Sequence, residues 1–151
     1  MLKKVKKVVF ALVLGMLATT IVSDAFADDW PLVGGDYWEV TGITIKDGGD
    51  LKYASWLATE WKKNLEFAQS KGWIKGHMIF ANVYPREGEP DLYLVRIIES
   101  VVSAAEGEKR SDEYQEWSKK TYEQMDSESG NRAEYREVGG TKLLQELTFR
   151  K

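Results

Sequence analysis

One histidine, His77, and no cysteine occur in the 151 residues of this chain. These two counts restrict the available chemistry more than any motif does. Imidazole titrates near neutrality, so His77 is the candidate general base and the one catalytic candidate that the sequence offers. It is also the side chain with a suitable donor for a haem iron. A third role needs no chemistry: a partly buried strand histidine held by a hydrogen bond to a neighbour. The absence of cysteine removes disulfides, thiolate metal sites and cysteine nucleophiles. Zinc requires clustered ligands, and scattered carboxylates beside one histidine supply no such spacing. Asp47 and Asp50 with their glycines lack the final glutamate of an EF-hand loop, and a turn followed by a helix cap accounts for them. No serine sits in a nucleophile elbow and no glycine-rich phosphate loop is present. The residues therefore give no ground for a serine hydrolase, a nucleotide enzyme or a clustered metal site, and no cofactor is expected unless His77 serves a haem.

The remaining candidates are aromatic and charged groups. Trp38, Trp56, Trp61, Trp73, Trp117, Tyr53, Tyr84, Tyr93 and Tyr114 are many rings for one small domain. Such rings can line a cleft for a flat apolar ligand, or fill a core and a subunit contact. Glu39, Glu146 and Arg96 lie in strand-like segments. Glu39 with Arg96 can form a buried ion pair, or Arg96 can receive an anionic ligand. The ligand-binding candidates are Trp38, His77, Tyr93 and Arg96.

The elements that must position these groups follow from composition and period. Residues 28–35, with Pro31 and Gly34-Gly35, read as an irregular arm. Tyr37 to Lys46 is rich in aromatic and β-branched residues and predicts a strand, ended by the turn Asp47-Gly48-Gly49. Asp50 stands at an N-cap position. Leu51, Ala54, Leu57, Ala58, Trp61, Leu65 and Ala68 then recur at helical spacing, and Gly72 can end that helix in a left-handed conformation. Ile74 to Tyr84 and Leu92 to Glu99 predict two strands around a loop marked by Pro85, Gly88 and Pro90. Ser111 to Met125 predicts a second helix with Tyr114, Trp117, Thr121 and Met125 inward. Ser127 to Gly130 reads as an interruption, Arg132 to Glu137 as a short helical piece, and Gly139-Gly140 as a turn before a last strand from Thr141 to Phe149. The order is βαββαβ, an α+β ferredoxin-like pattern with one four-stranded antiparallel sheet. His77 then shares a strand face with Ile79, opposite Met78 and Phe80. The strands are apolar on both faces, whereas a sheet with one wet face should alternate. A second copy of the same sheet is the expected cover.

The N-terminus reads as an address. Lys3, Lys4, Lys6 and Lys7 precede an uncharged, mostly apolar run from Val8 to Val22, and Ala25-Phe26-Ala27 offers small residues before Asp28. This is the order of a cleavable signal peptide over residues 1–27, with cleavage after Ala27. The run is shorter than the ~20 residues that span a bilayer as a helix. Residues 28–151 would then act in the periplasm or be secreted, with no membrane attachment. The chain carries 24 acidic and 21 basic residues, and losing the lysine-rich leader makes the remainder more acidic. Neither nucleic acid nor an anionic membrane suits that balance as a partner.

Four stretches together, "DYWEVTGITIK", "YASWLATEWKKNLEFAQSKGWIKGHMIFANVY", "PREGEPDLY" and "NRAEYREVGGTKLLQEL", resemble the dimeric α/β-barrel superfamily over residues 36–151. The resemblance rests on element order and aromatic placement. It implies a homodimer of ferredoxin-like subunits with sheets pressed together, and a cleft in each subunit between sheet and helices. Members of the superfamily include cofactor-independent monooxygenases acting on quinol-type aromatics and haem-binding or haem-degrading proteins. The haem-using members carry the iron ligand on a helix, whereas His77 falls in a strand. Three functions are therefore expected to compete: a non-catalytic exported dimer that binds a small apolar or aromatic ligand, a cofactor-independent oxygenase, and a haem-binding protein.

Overall fold

The computed structural model describes residues 30–151; the expected signal peptide, residues 1–27, lies outside them. Residues 32–151 form one compact unit. It is α+β, with one four-stranded antiparallel sheet and three helices. The strands are β1 (Leu32–Ile45), β2 (Gly76–Ala81), β3 (Leu92–Ile98) and β4 (Arg136–Phe149), in the spatial order β2-β3-β1-β4. Helix α1 runs over 50–70, α2 is Ala104–Ser118 and α3 is Tyr122–Asn131. No helix among the described residues is long and apolar enough to cross a membrane.

β1 begins at Leu32, inside the segment expected to be irregular. Leu32 to Gly34 pair with Phe149 to Leu147 of β4, and a register shift between Gly34 and Tyr37 accommodates the glycine pair. Sheet pairing thus overrides a local glycine signal. β4 likewise starts earlier than expected. Gly139-Gly140 does not turn the chain; β4 runs through it, with a register shift between Thr41 and Ile43 on β1. An edge strand tolerates such glycines because its outer side carries no ladder.

Helix α1 starts at Asp50, so Gly49 takes the N-cap and the Asp50 carboxylate lies in the first turn. It ends as expected. Gly72 adopts φ +68°, and Gly72 N and Trp73 N donate to the carbonyls of Gln69 and Ala68 at 3.0 and 2.9 Å. That pair of reversed bonds satisfies two of the last free carbonyls.

The second helical region corrects the expected boundaries. α2 begins after Ser103, whose side chain accepts from Glu106 N, and ends at Lys119 in a left-handed conformation (φ 55°). Thr121 then opens α3 with a reciprocal cap, Gln124 N to Thr121 Oγ1 at 3.2 Å and Thr121 N to Gln124 Oε1 at 2.9 Å. Ser127 to Gly130 therefore continues a helix rather than breaking one. Only Arg132–Glu134 of the expected short piece is helical, as a single 3₁₀ turn.

The core lies between α1 and the sheet: Ile43, Tyr53, Leu57 and Leu94 are buried together, with Trp56, Trp61 and Tyr135 packed around them. A second aromatic group fastens α1 to α2. Phe67 stacks on Trp117 at 4.3 Å and meets Trp73 and Tyr114 at 5.2 and 6.1 Å. Ring pairs of this kind add about 0.5–1.5 kcal/mol each beyond their area.

Candidate functional site

Between the sheet and the helices lies a cleft of about 810 Å³, within the ~300–1,000 Å³ range of small-molecule sites. Alternation fixes its floor. Glu39, Thr41 and Ile43 of β1 face the same side as Leu94 and Arg96 of β3, since Thr41 pairs with Leu94 and Glu39 with Arg96. Trp56, Trp61 and Leu65 of α1 form one wall, and Arg110, Ser111 and Tyr114 of α2 another.

The α1 wall depends on an irregularity. Residues Leu57–Trp61 form a π turn inside the helix. Five residues of regular α-helix would place Trp56 and Trp61 about 140° apart around the axis. The wider π turn brings both rings to the cleft, and π-bulges of this kind recur at functional sites. Trp56 stacks on Tyr53 at 5.5 Å, and the Arg132 guanidinium lies 4.4 Å from the Trp56 ring centre, a cation–π distance.

Three arginines and one carboxylate line this cleft. Arg96 pairs with Glu39 at 2.6 Å, but the pair expected to be buried is partly exposed, because the cleft opens to solvent at this end. Arg110 donates to Glu106 at 2.8 Å and lies over the Trp73 ring. Arg136, the first residue of β4, is buried, and its Nε has no hydrogen-bond partner. Burial, the largest influence, holds its guanidinium below the ordinary arginine pKa, and the neighbouring Arg132 charge acts in the same direction. The Tyr53 hydroxyl is pushed up to about 12, chiefly by burial. Among the described residues no three His, Cys, Asp or Glu side chains stand close enough to hold a metal.

Of the four ligand candidates read from sequence, Arg96 alone lines the cleft. Trp38 and Tyr93 alternate with cleft-facing residues and so point to the opposite face of the sheet, where Trp38 pairs with Ile97 and Leu144. His77 lies opposite Arg96 on β2, exposed, with its ring edge-on to Trp61 at 5.6 Å. It reaches the cleft only through that tryptophan. Glu146 falls on the Trp38 side of β4, away from Glu39. Tyr53 stood among the aromatic rings that the sequence offered for a cleft, whereas sequence reasoning missed Arg136 as a cleft residue. The signal for Arg136 was the strand character of Arg136–Val138, hidden by the glycine pair that follows. No family model, curated protein or solved structure matches this chain.

Proposed function

We propose that the protein is an exported, non-catalytic homodimer that binds a small planar aromatic molecule in the cleft between sheet and helices. The observation that carries this reading is the cleft itself: about 810 Å³, with Trp56 and Trp61 turned into it by the π segment. The basic, apolar, small-residue order of residues 1–27 supports export. The strand order β2-β3-β1-β4 supports a ferredoxin-like unit.

Calorimetric titration with 2-naphthalenemethanol, a neutral planar arene, tests the cleft. We expect saturable binding that Trp61→Ala weakens by about tenfold or more, as loss of a ring contact of about 1.4 kcal/mol or more requires. His77→Ala should change it little, because His77 stands outside the lining. Absence of saturable binding by both 2-naphthalenemethanol and its charged analogue 2-naphthoate up to millimolar concentration would remove the reading.

The dimer rests on the other face. Phe80 of β2 and Leu144 of β4 project there and are 47 % and 51 % exposed, on either side of Val40, Val95 and Ile97. Val95 is already buried within the single chain, and the exposed apolar groups Phe80 and Leu144 flanking it suit a second copy of the sheet. Light scattering should give twice the chain mass, and Phe80→Glu with Leu144→Glu should return the monomer. A wild-type monomer at micromolar concentration would refute the dimer and leave the cleft reading intact.

A further inference from the structure

Arg136 is the one charged side chain in the buried class among the described residues, at 7 % exposure. Its hydrogen bonding is poor: Nε has no partner, and its single bond runs from Nη2 to Ser129 Oγ at 3.4 Å, long for an N–H···O contact. The titratable groups that act on it are Tyr53, Arg132 and Tyr135, with no carboxylate among them. Arg132 also has an unpartnered Nε, and its plane lies against Trp56. A guanidinium withdrawn from water with idle donors is unfavourable until acceptors reach it.

This vacancy of negative charge is specific to one place. The chain has more acidic than basic residues, and the other two cleft arginines have carboxylate partners, Glu39 for Arg96 and Glu106 for Arg110. The recorded neighbours of Arg136 are instead the phenols Tyr53 and Tyr135, the cation Arg132, the Ser129 hydroxyl and its ladder partner Ile45.

We propose that the ligand of the cleft is an aromatic carboxylate, its oxygens accepting from the Arg136 guanidinium while its ring lies along Trp56 and Trp61. The planar, forked donor set of arginine matches a carboxylate in two-point contact better than a point charge would. Arg132, held against the outer face of Trp56, adds positive potential at the same end of the site. This assignment rests on the cleft reading above and names its ligand class.

The test compares 2-naphthoate with 2-naphthalenemethanol, which share a ring system and differ in charge. Calorimetry at pH 7.5 should show the carboxylate binding about ten- to hundredfold more tightly, as charge-assisted hydrogen bonds imply. Arg136→Met should remove the preference for naphthoate over the alcohol, and Arg136→Lys should recover part of it. The wild-type comparison needs no variant, so a poorly folding Arg136→Met protein does not remove the test. Equal affinity of the two compounds for the wild-type protein overturns the carboxylate assignment and leaves the aromatic cleft standing. A preference that survives in folded Arg136→Met overturns the role of Arg136. Failure of both compounds to bind overturns the cleft reading and this assignment together.

Discussion

Tyr53→Ala is expected to destabilise the fold by about 3–5 kcal/mol, the range for deleting a buried aromatic ring. That is a large part of the ~5–15 kcal/mol that separates folded from unfolded states of a small domain. Tyr53 is 1 % exposed and belongs to the core with Ile43, Leu57 and Leu94. Its ring also supports the cleft, stacking on Trp56 at 5.5 Å and lying 6.3 Å from Tyr135, the residue before Arg136. Urea denaturation followed by circular dichroism measures the loss, and a cost below ~1 kcal/mol would show that this ring does not hold the core. Tyr53→Phe keeps the ring and separates packing from ionisation. Because the folded-state pKa of Tyr53 lies at about 12, above the ordinary ~10, the neutral phenol favours the fold. That contribution is complete below about pH 10 and is lost as pH rises through about 12. Tyr53→Phe should therefore flatten the fall in stability between those values. Tyr114, also raised by burial, remains in both proteins, so the difference between them isolates Tyr53.

The legible part of this molecule was the part with strong periodicity and its own stop signals. The 50–70 helix was legible through its helical spacing and Gly72, although Leu51, Ala54 and Ala58 of the expected stripe are exposed while Tyr53 and Phe67, outside it, are buried; β3 was legible through a short apolar run after Pro90. α2 was misplaced because its apolar stripe is faint: it has no fully buried residue, and its inward contacts come from Tyr114 and Trp117 near its C-terminal end. The chain nevertheless carries two start signatures there, Ser103-Ala-Ala-Glu106 and Thr121-Tyr-Glu-Gln124, each a hydroxyl that accepts from the backbone N–H three residues later, with the reciprocal side-chain bond formed at Thr121. Capping chemistry was the better guide than hydrophobic period. The cleft is a different matter. The ion pair of Glu39 with Arg96 followed from strand adjacency, but the meeting of Tyr53 with Arg136 joins positions 83 apart in the chain. That meeting depends on how β4 is threaded beside β1, through a bulge at a glycine pair that local reading takes for a turn. The π segment was equally hidden, since its residues fit an ordinary helical stripe until one asks which way Trp56 and Trp61 both face.

Two adjacent glycines, Gly48 and Gly49, are expected to respond to alanine for different physical reasons, and the larger effect belongs to the one with the ordinary backbone. Gly48 has φ +74° and open space where a Cβ would stand. Alanine there meets the left-handed conformational cost alone, about 1–2 kcal/mol. Gly49 has φ −87°, which any residue adopts, but its Cβ would lie 2.3 Å from the Tyr135 carbonyl oxygen and 2.9 Å from that of Lys46. Both obstacles are backbone, so neither can rotate away. The Tyr135 carbonyl also accepts from Lys46 N at 3.0 Å, and Gly49 O accepts from Tyr53 N at 2.9 Å. A side chain at position 49 must therefore push the start of α1 away from the start of β4. Gly49→Ala should cost about 3 kcal/mol, the upper part of the usual range for overpacking a tight site. The displacement would act on Tyr53 from one side and on Arg136 from the other, since Ile45 pairs with Arg136 in the adjoining ladder. Gly49→Ala should accordingly weaken the binding of 2-naphthoate in protein that is still folded, whereas Gly48→Ala should lower the melting temperature without changing that affinity. Thermal melts paired with calorimetry at a temperature where both variants are folded separate the two cases. Equal stability losses and equal affinities would show that the contact between Gly49 and Tyr135 does not link the helix to the cleft.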